Sequence, residues 1–481
     1  MRASLLGAAA QARWTGWRTG DSKRRMKNLM TALGALSLSL SAQPAAAQDD
    51  TLPAADVALE RDELALDFTR GITTEVGARM PGTPDEARGR VWAMRWLREN
   101  DFANVADEPF MMDTWVRGEE TAQITGEFAQ TMTVTALGTS GSTGPEGIEA
   151  EVVGFSSVGE MMAAPDSAVA GKIVFLTHDM RPTQDGSGYG FAGPARWVGP
   201  GFAAQKGAVA TVIRSIGTDN HRVPHTGGTG WPEGVTPTAA GALSNPDADN
   251  LERLLATGRP VTMKLVMTPR MLGRTQSGNV VGEIVGRDPA LPPVLVACHL
   301  DSWDLGTGAI DDAAGCGIVA AAARVATEDG PALRTIRVLF AGAEETGLWG
   351  SKAYSEAHLD ETIAVGLESD FGADRIWRFE SNFAASNPAL HKRLVASVAR
   401  FGVAGGNAVA TGGADIDIVR DQGAAIIDLQ QDGTRYFDLH HTADDTFDKI
   451  DPVQLRQNVA VWAQVIAILA NEPGSIKGDA E

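Results

Sequence analysis

Cysteine is nearly absent from this 481-residue chain, which holds two, and bases are outnumbered: 41 Lys+Arg face 61 Asp+Glu, a formal net charge of −20. Two cysteines cannot staple a small disulfide scaffold or complete a four-cysteine zinc site. Surplus negative charge repels a phosphate backbone, which argues against nucleic-acid binding. Only eight His and three Tyr are present. Beyond the N-terminus no stretch is long and apolar enough to cross a bilayer. What is there is globular, with 43% hydrophobic residues and a length that suggests two or three domains. Chemistry in such a chain has to come from carboxylates, a few imidazoles and the backbone.

Lys23, Arg24, Arg25 and Lys27 precede an apolar run from Leu29 to Ala42, followed by Gln43-Pro44-Ala45-Ala46-Ala47. A basic start, an apolar run too short to span a membrane and a small-x-small site predict a signal peptide over 1–47, cleaved before Gln48. Met26 stands where such a signal ordinarily begins and is a candidate true start. The segment has no cysteine, which excludes a lipoprotein anchor. The expected mature protein is periplasmic or secreted, with no membrane span.

Residues 58–103 read as helical, with openings at Asp62-Glu63 and at Pro84-Asp85-Glu86-Ala87, and with Val91, Met94, Trp96 and Leu97 on one face. From Glu119 to Met271 the texture changes to short β runs such as Lys172–Leu176, Ala210–Ile213 and Val261–Val266, with a Gly-rich stretch from Asp185 to Gly201. This predicts a separate β-rich module. Strict alternation follows: strands at Asn279–Val285 and Pro293–Cys298, a helix at Asp312–Thr327, a strand at Thr335–Ala341, a helix at Leu348–His358 and a strand at Ile363–Glu368. The expected fold class is α/β, a mostly parallel mixed sheet flanked by helices. In such sheets ligands bind beyond the carboxyl ends of the strands.

The segments after those strands are where the polar residues gather. They read Cys298-His299-Leu300-Asp301-Ser302-Trp303-Asp304, Gly308-Ala309-Ile310-Asp311-Asp312, Glu344-Glu345-Thr346-Gly347, Glu368-Ser369-Asp370, and Asp438-Leu439-His440-His441-Thr442-Ala443-Asp444-Asp445. Singly each has a structural explanation: Asp311 and Asp312 as helix caps, Glu344-Glu345 as a solvated turn, His440-His441 as an exposed pair. Together they crowd acids that a core rejects without positive charge, and none of these segments contains Lys or Arg. Divalent cations are the natural compensation. Two His and three acids suit two zinc ions, Zn²⁺ being favoured by mixed nitrogen and oxygen ligands, with Co²⁺ or Mn²⁺ as substitutes.

Read together, these residues resemble the M28 family of zinc exopeptidases, in its carboxypeptidase Q-like branch. Arg79-Met80-Pro81-Gly82-Thr83-Pro84 is similar to the family's motif before its first long helix, and His299-Leu300-Asp301-Ser302-Trp303-Asp304 with Gly308-Ala309-Ile310-Asp311-Asp312 carries the branch's pattern. The insert resembles a protease-associated (PA) domain through Ala170-Gly171-Lys172-Ile173-Val174 and Lys206-Gly207-Ala208. The resemblance implies a peptidase domain over 48–118 and 272–481, with the PA-like domain over 119–271. It implies that His299 and Asp370 hold one zinc, Glu345 and His441 the other, and that Asp311 bridges. Glu344 is then the general base, Asp301 orients His299, and the 311–312 peptide is expected cis. The M20 metallopeptidases share the ligand order but place a dimerisation domain before the last His. Here one helix (Asn387–Phe401) and one strand (Ala424–Leu429) separate Asp370 from His441.

The implied activity is metal-assisted hydrolysis of dipeptides or short peptides with free termini. An aminopeptidase on longer peptides, a receptor on the same scaffold, and a cyclase of N-terminal glutamine are the alternatives. A homodimer is open. His440 is the candidate donor to the tetrahedral oxyanion, with a supporting role beside His441 equally open. Asp415 and Glu368 are expected as a solvated loop acid and a strand-end acid, with contact to a substrate ammonium the alternative; Cys298 and Cys316 are expected as buried free thiols, with a disulfide between them open, and Trp303 as packing in the site wall. His225-Thr226-Gly227-Gly228 is expected as a loop that helps close the cleft.

Overall fold

Two eight-stranded mixed sheets share the chain. The structure, a computed structural model, describes residues 50–479. The expected signal peptide and the start at Met26 lie outside the described residues. In the first sheet the strands run in the order Ala103–Val116, Arg270–Ile284, Ile336–Ala341, Val294–His299, Val365–Glu368, Ala425–Gln431, Ile376–Ser381, Ala404–Gly405. The four central strands are parallel, as the βαβ alternation requires. Antiparallel partners flank them on both sides.

Strand alternation sorts the core. Val294, Val296 and Cys298 face one hydrophobic cluster, and Leu295 and Ala297 face another. Buried on both faces, such a strand reads as a continuous apolar run. The Ala-rich helix Ala314–Val325 is buried along most of its length, because small side chains let it nestle beside the long helix Pro452–Asn471. Helix starts follow the capping rules: the Thr83 hydroxyl accepts from Glu86 N ahead of Pro84, and Asp451 accepts from Val453 N ahead of Pro452–Asn471.

Three expectations change here. Val91 is 64% exposed, and the buried face of Pro84–Glu99 is Gly89, Trp92, Ala93, Trp96 and Leu97. A further helix, Pro53–Arg61, precedes the one that opens after Glu63. Cys298 and Cys316 form a disulfide instead of remaining free thiols, their Cα atoms 5.1 Å apart. Strand and helix meet there closely enough for bonding geometry, which no one-dimensional spacing reveals.

The second sheet runs Gln130–Met132, Glu120–Thr125, Thr262–Met267, Ile148–Phe155, Ile173–Leu176, Ala210–Arg214, Ala239–Leu243, Val134–Ala136. It too is mixed, and helices such as Gly199–Gln205 and Asn245–Leu255 accompany it. Met80, Trp115 and Trp303 lie in one cluster with Ile124, Phe175 and Met263. The two sheets therefore meet through shared apolar packing, which fixes the inserted module against the sheet edge that carries the acids.

Candidate metal centre

Asp311 stands in the middle of the gathered residues. Its Oδ1 lies 2.9 Å from His299 Nε2, and that nitrogen is 3.4 Å from Asp370 Oδ1. Its Oδ2 lies 3.3 Å from His441 Nε2, and that nitrogen is 2.9 Å from Glu345 Oε2. The five residues expected as ligands thus come together, each set at the end of a central strand or in the loop that returns to it. His299, Asp311 and Asp370 offer atoms within 4.8 Å of one another, and so do Asp311, His440 and His441. The expected cis peptide between Asp311 and Asp312 is present. Ala343 and His441 occupy left-handed backbone at φ 58° and 61°, a conformation disfavoured for residues with a Cβ and concentrated at functional sites.

The donor chemistry fits a divalent cation. His299 Nδ1 is 3.1 Å from Asp301 O, and His441 Nδ1 is 3.2 Å from Thr226 O. A carbonyl only accepts, so each Nδ1 donates and each Nε2 turns a lone pair toward carboxylate oxygens. Lone pair and carboxylate repel at these distances unless a cation or proton lies between them. Among the described residues, Asp311 Oδ2 and Glu345 Oε1 are buried without a hydrogen-bond donor. Burial, with repulsion from neighbouring acids, pushes Glu344 and Glu345 well above their ordinary range, and burial also raises Asp370. Burial works against protonating His299, yet Asp370 and Asp311 carry it well above its usual value. Asp311 is the exception: burial pushes it up, but His299 and His441 together hold it well below the usual carboxylate range.

A second tier of residues holds the loops. Asp301 orients His299 through its carbonyl, while its carboxylate, 3.8 Å from His299 Nδ1, accepts from Glu344 N (3.1 Å) and Glu345 N (3.3 Å). It therefore fixes the turn that carries the paired glutamates. Asp312, read as a cap, accepts from Gly315 N and also from His299 N. Arg79 is fully buried and donates to the carbonyls of Leu300, Thr307 and Gly308, tying the loop after His299 to the one before Asp311. Burial lowers its pKa to about 10. Asp445 accepts from Ala309 N (2.8 Å), Ile310 N (2.6 Å) and Asp311 N (3.3 Å). Asp445→Ala orphans three buried donors and is expected to cost about 3 kcal/mol or more. Urea denaturation checks this, and a loss below about 1 kcal/mol would show the loop is held some other way.

The centre opens on a cleft of about 570 Å³. One wall is the strand ends, and the other belongs to the inserted module, with Tyr189, Arg196, Trp197 and Thr229. His225 Nδ1 donates to His440 O at 2.7 Å, and Thr226 N donates to His441 O at 3.0 Å. The expected closing loop is thus clamped onto the His440-His441 segment. Trp303 is buried as expected, its ring 5.8 Å from that of His441. Asp415 differs from its expectation as a solvated acid: it is 3% exposed, and burial pushes its pKa up to about 8. Glu368 Oε2 accepts from Asp415 N and Ile416 N, which folds that loop inward. Sequence reasoning passed over Arg196 and Tyr189. Both sit in a Gly-rich stretch far along the chain from the acid clusters, and no local signal marks them.

Together with the likenesses that follow, fold and site define the class, a metallo-exopeptidase. A model of Peptidase family M28 matches residues 279–466. Carboxypeptidase Q of Bos taurus is 31% identical over 403 residues, covering 82% of this chain and 83% of the relative. The Homo sapiens protein of that name is 30% identical over 400 residues, with 82% and 83% covered. The crystal structure of a peptidase M28 precursor from Shewanella amazonensis SB2B has a TM-score of 0.85 at 39% identity, covering 88% of this chain and 96% of that one. A zinc aminopeptidase from Bacillus subtilis shares the fold at 19% identity and TM-score 0.60, with 84% and 94% covered. The chain belongs to peptidase family M28.

Proposed function

We propose that the protein is an exported di-zinc exopeptidase that hydrolyses dipeptides and short peptides with free termini. The observation that carries this reading is Asp311, which turns one carboxylate oxygen toward each of two imidazoles that are themselves paired with a further acid. In it His299 and Asp370 would hold one ion and Glu345 and His441 the other, with Asp311 available to both. Zinc held there supplies Lewis acidity toward water and the scissile carbonyl.

The chain's own groups do the rest. Glu344 lines the cleft beside Asp311, where its carboxylate takes a proton from the attacking water and hands it to the leaving amine. Asp301 positions it through the backbone N–H. His440 is held by His225 and stacked on His441 with centroids 3.5 Å apart; its Nε2 is 3.8 Å from Asp311 and its Nδ1 has no partner. Burial and the neighbouring His441 hold it well below its ordinary value, so it is a neutral imidazole with one N–H to offer a developing oxyanion. The module over 119–271 is read as a PA-like domain that supplies the far wall, inserted into a peptidase domain over 48–118 and 272–481. Export is supported by the N-terminal sequence and by the Cys298–Cys316 disulfide, a bond favoured in oxidising compartments.

Chromatography of products from a dipeptide, a tripeptide and their N- and C-blocked forms, alongside a zinc determination, tests this. Cleavage of the free dipeptide by protein carrying two zinc ions per chain is expected. Stoichiometric zinc without cleavage of any member, or cleavage without zinc, would overturn it.

A further inference from the structure

The loop 215–226 of the inserted module grips the segment that carries the last two imidazoles. Thr218 N donates to Phe437 O at 3.0 Å, the Thr218 hydroxyl donates to Asp438 Oδ1 at 2.6 Å, and Thr226 N donates to His441 O at 3.0 Å. Between them His225 Nδ1 donates to His440 O at 2.7 Å, while its Nε2 lies 2.7 Å from Asp219 Oδ1. At these distances a proton lies in each gap. Asp219 thereby fixes which ring nitrogen faces His440 and polarises the ring that donates to it. The His225 and Asp219 side chains are 0% and 2% exposed. Asp219 takes no part in the chemistry described above.

The pose of this pair is set from the module's side. His225 N donates to Ser215 Oγ at 2.9 Å, and that hydroxyl donates to Leu243 O at 2.7 Å. Asp219 Oδ2 accepts from His221 N at 3.0 Å. The imidazole lies on Gly217, where a Cβ would fall 2.2 Å from its Cε1 and Nε2, so only bare backbone fits there. What the pair holds is strained. His441 stands at φ 61°, immediately after the carbonyl that His225 engages. Left-handed backbone at a residue with a Cβ persists where its surroundings over-determine it. Turning the peptide between 440 and 441 would carry His441 Nε2 away from Glu345 Oε2 and Asp311 Oδ2, now 2.9 and 3.3 Å off. The His440 ring stacked on it would move as well.

We propose that Asp219 and His225 are positioning residues for the reaction: by fixing the His440 carbonyl they hold His441 as a metal ligand and His440 as the oxyanion donor in one register. The inference rests on the peptidase reading above and adds the module residues that set two of its imidazoles. Neither residue touches substrate. Their effect passes through one backbone carbonyl, and partners at that remove from a metal ordinarily govern both its affinity and the rate.

Two substitutions at position 225 separate positioning from bracing. The amide nitrogen of asparagine stands near the place of Nδ1 and that of glutamine near the place of Nε2. His225→Gln therefore keeps a donor for Asp219 and loses the one to His440 O. His225→Asn, made together with Asp219→Asn so that no buried acid is orphaned, does the reverse. With zinc in excess, His225→Gln is expected to lower kcat on a dipeptide by about 30-fold with KM within about twofold. In competition with a chelator it should hold one of the two zinc ions about tenfold more weakly or worse. The asparagine double variant should stay within about fivefold of the native kcat and keep both ions. Thermal midpoints are measured alongside. A His225→Gln enzyme with native kcat and zinc affinity overturns the proposal. So does a double variant that loses as much as His225→Gln, which would make the pair a brace within the module. Either result leaves the peptidase reading intact, whereas a native enzyme that neither binds zinc nor cleaves the dipeptide removes both.

Discussion

Glu344→Gln is expected to leave a folded, zinc-loaded protein whose kcat on a dipeptide is lower by about 10³-fold, within the range lost when a positioned general base is removed. Glutamine keeps the shape and polarity of the side chain but cannot take a proton from water. The backbone contribution survives, because Asp301 is held by the N–H groups of residues 344 and 345 and not by the Glu344 carboxylate. It is Glu345, not Glu344, whose carboxylate reaches His441 Nε2. The adjacent change Glu345→Gln should differ in kind, with zinc content falling along with activity. Single-turnover product formation and zinc content, measured on the same preparations, separate the two. A Glu344→Gln enzyme within tenfold of the native rate ends the base assignment.

Removing the metal is expected to do more. Chelation should reduce turnover to below about 1% and added zinc should restore it, since the acids present no other Lewis acid to substrate. Its effect on stability has a direction in pH. Without cations Glu344, Glu345, Asp370 and His299 all bind protons more tightly folded than unfolded, with Asp445 raised to about 7 and Asp415 to about 8. Groups raised in this way contribute stability that is present at low pH and lost as pH rises through their folded values. Asp311 has the opposite sign, but its contribution is lost only in acid, below the ordinary carboxylate range, and the buried His440 and His441, both lowered, oppose the trend within the window as two groups against six. Between about pH 5 and 8 the chelated protein should therefore lose thermal stability as pH rises, by about 5 °C or more. The zinc-loaded protein should not follow, because bound ions replace the protons and stabilise the folded state by mass action. A chelated protein whose midpoint climbs across that window would show that the acids are not a repelling cluster.

The parallel sheet was legible because strands buried on both faces must be apolar throughout, as Val294–His299 is, and because the polar residues stop abruptly at their carboxyl ends. Asp311, His299 and His441 could be picked out for the same reason: a cluster of uncompensated acids and imidazoles has few physical excuses. Asp415 was misread because a Gly-rich loop looks solvated, and its burial depends on Glu368 folding the loop inward from another strand. Val91 was misplaced by one step of helical phase, which hydrophobicity alone does not fix.

By itself the sequence determined the α/β order, the acids and imidazoles that gather beyond the strands and the absence of any Lys or Arg in those segments, because those depend on residue type and on distances short along the chain. Only the tertiary structure decided which carboxylate stands between the two imidazoles, that Asp301 holds the glutamate turn, that Asp445 and Arg79 tie the loops, that the cysteines meet, and that Arg196 faces the acids from the inserted module. Each of those is a contact between residues far apart in the chain. Such contacts are set by how apolar faces pack the two sheets together, and nothing in the neighbouring residues encodes them.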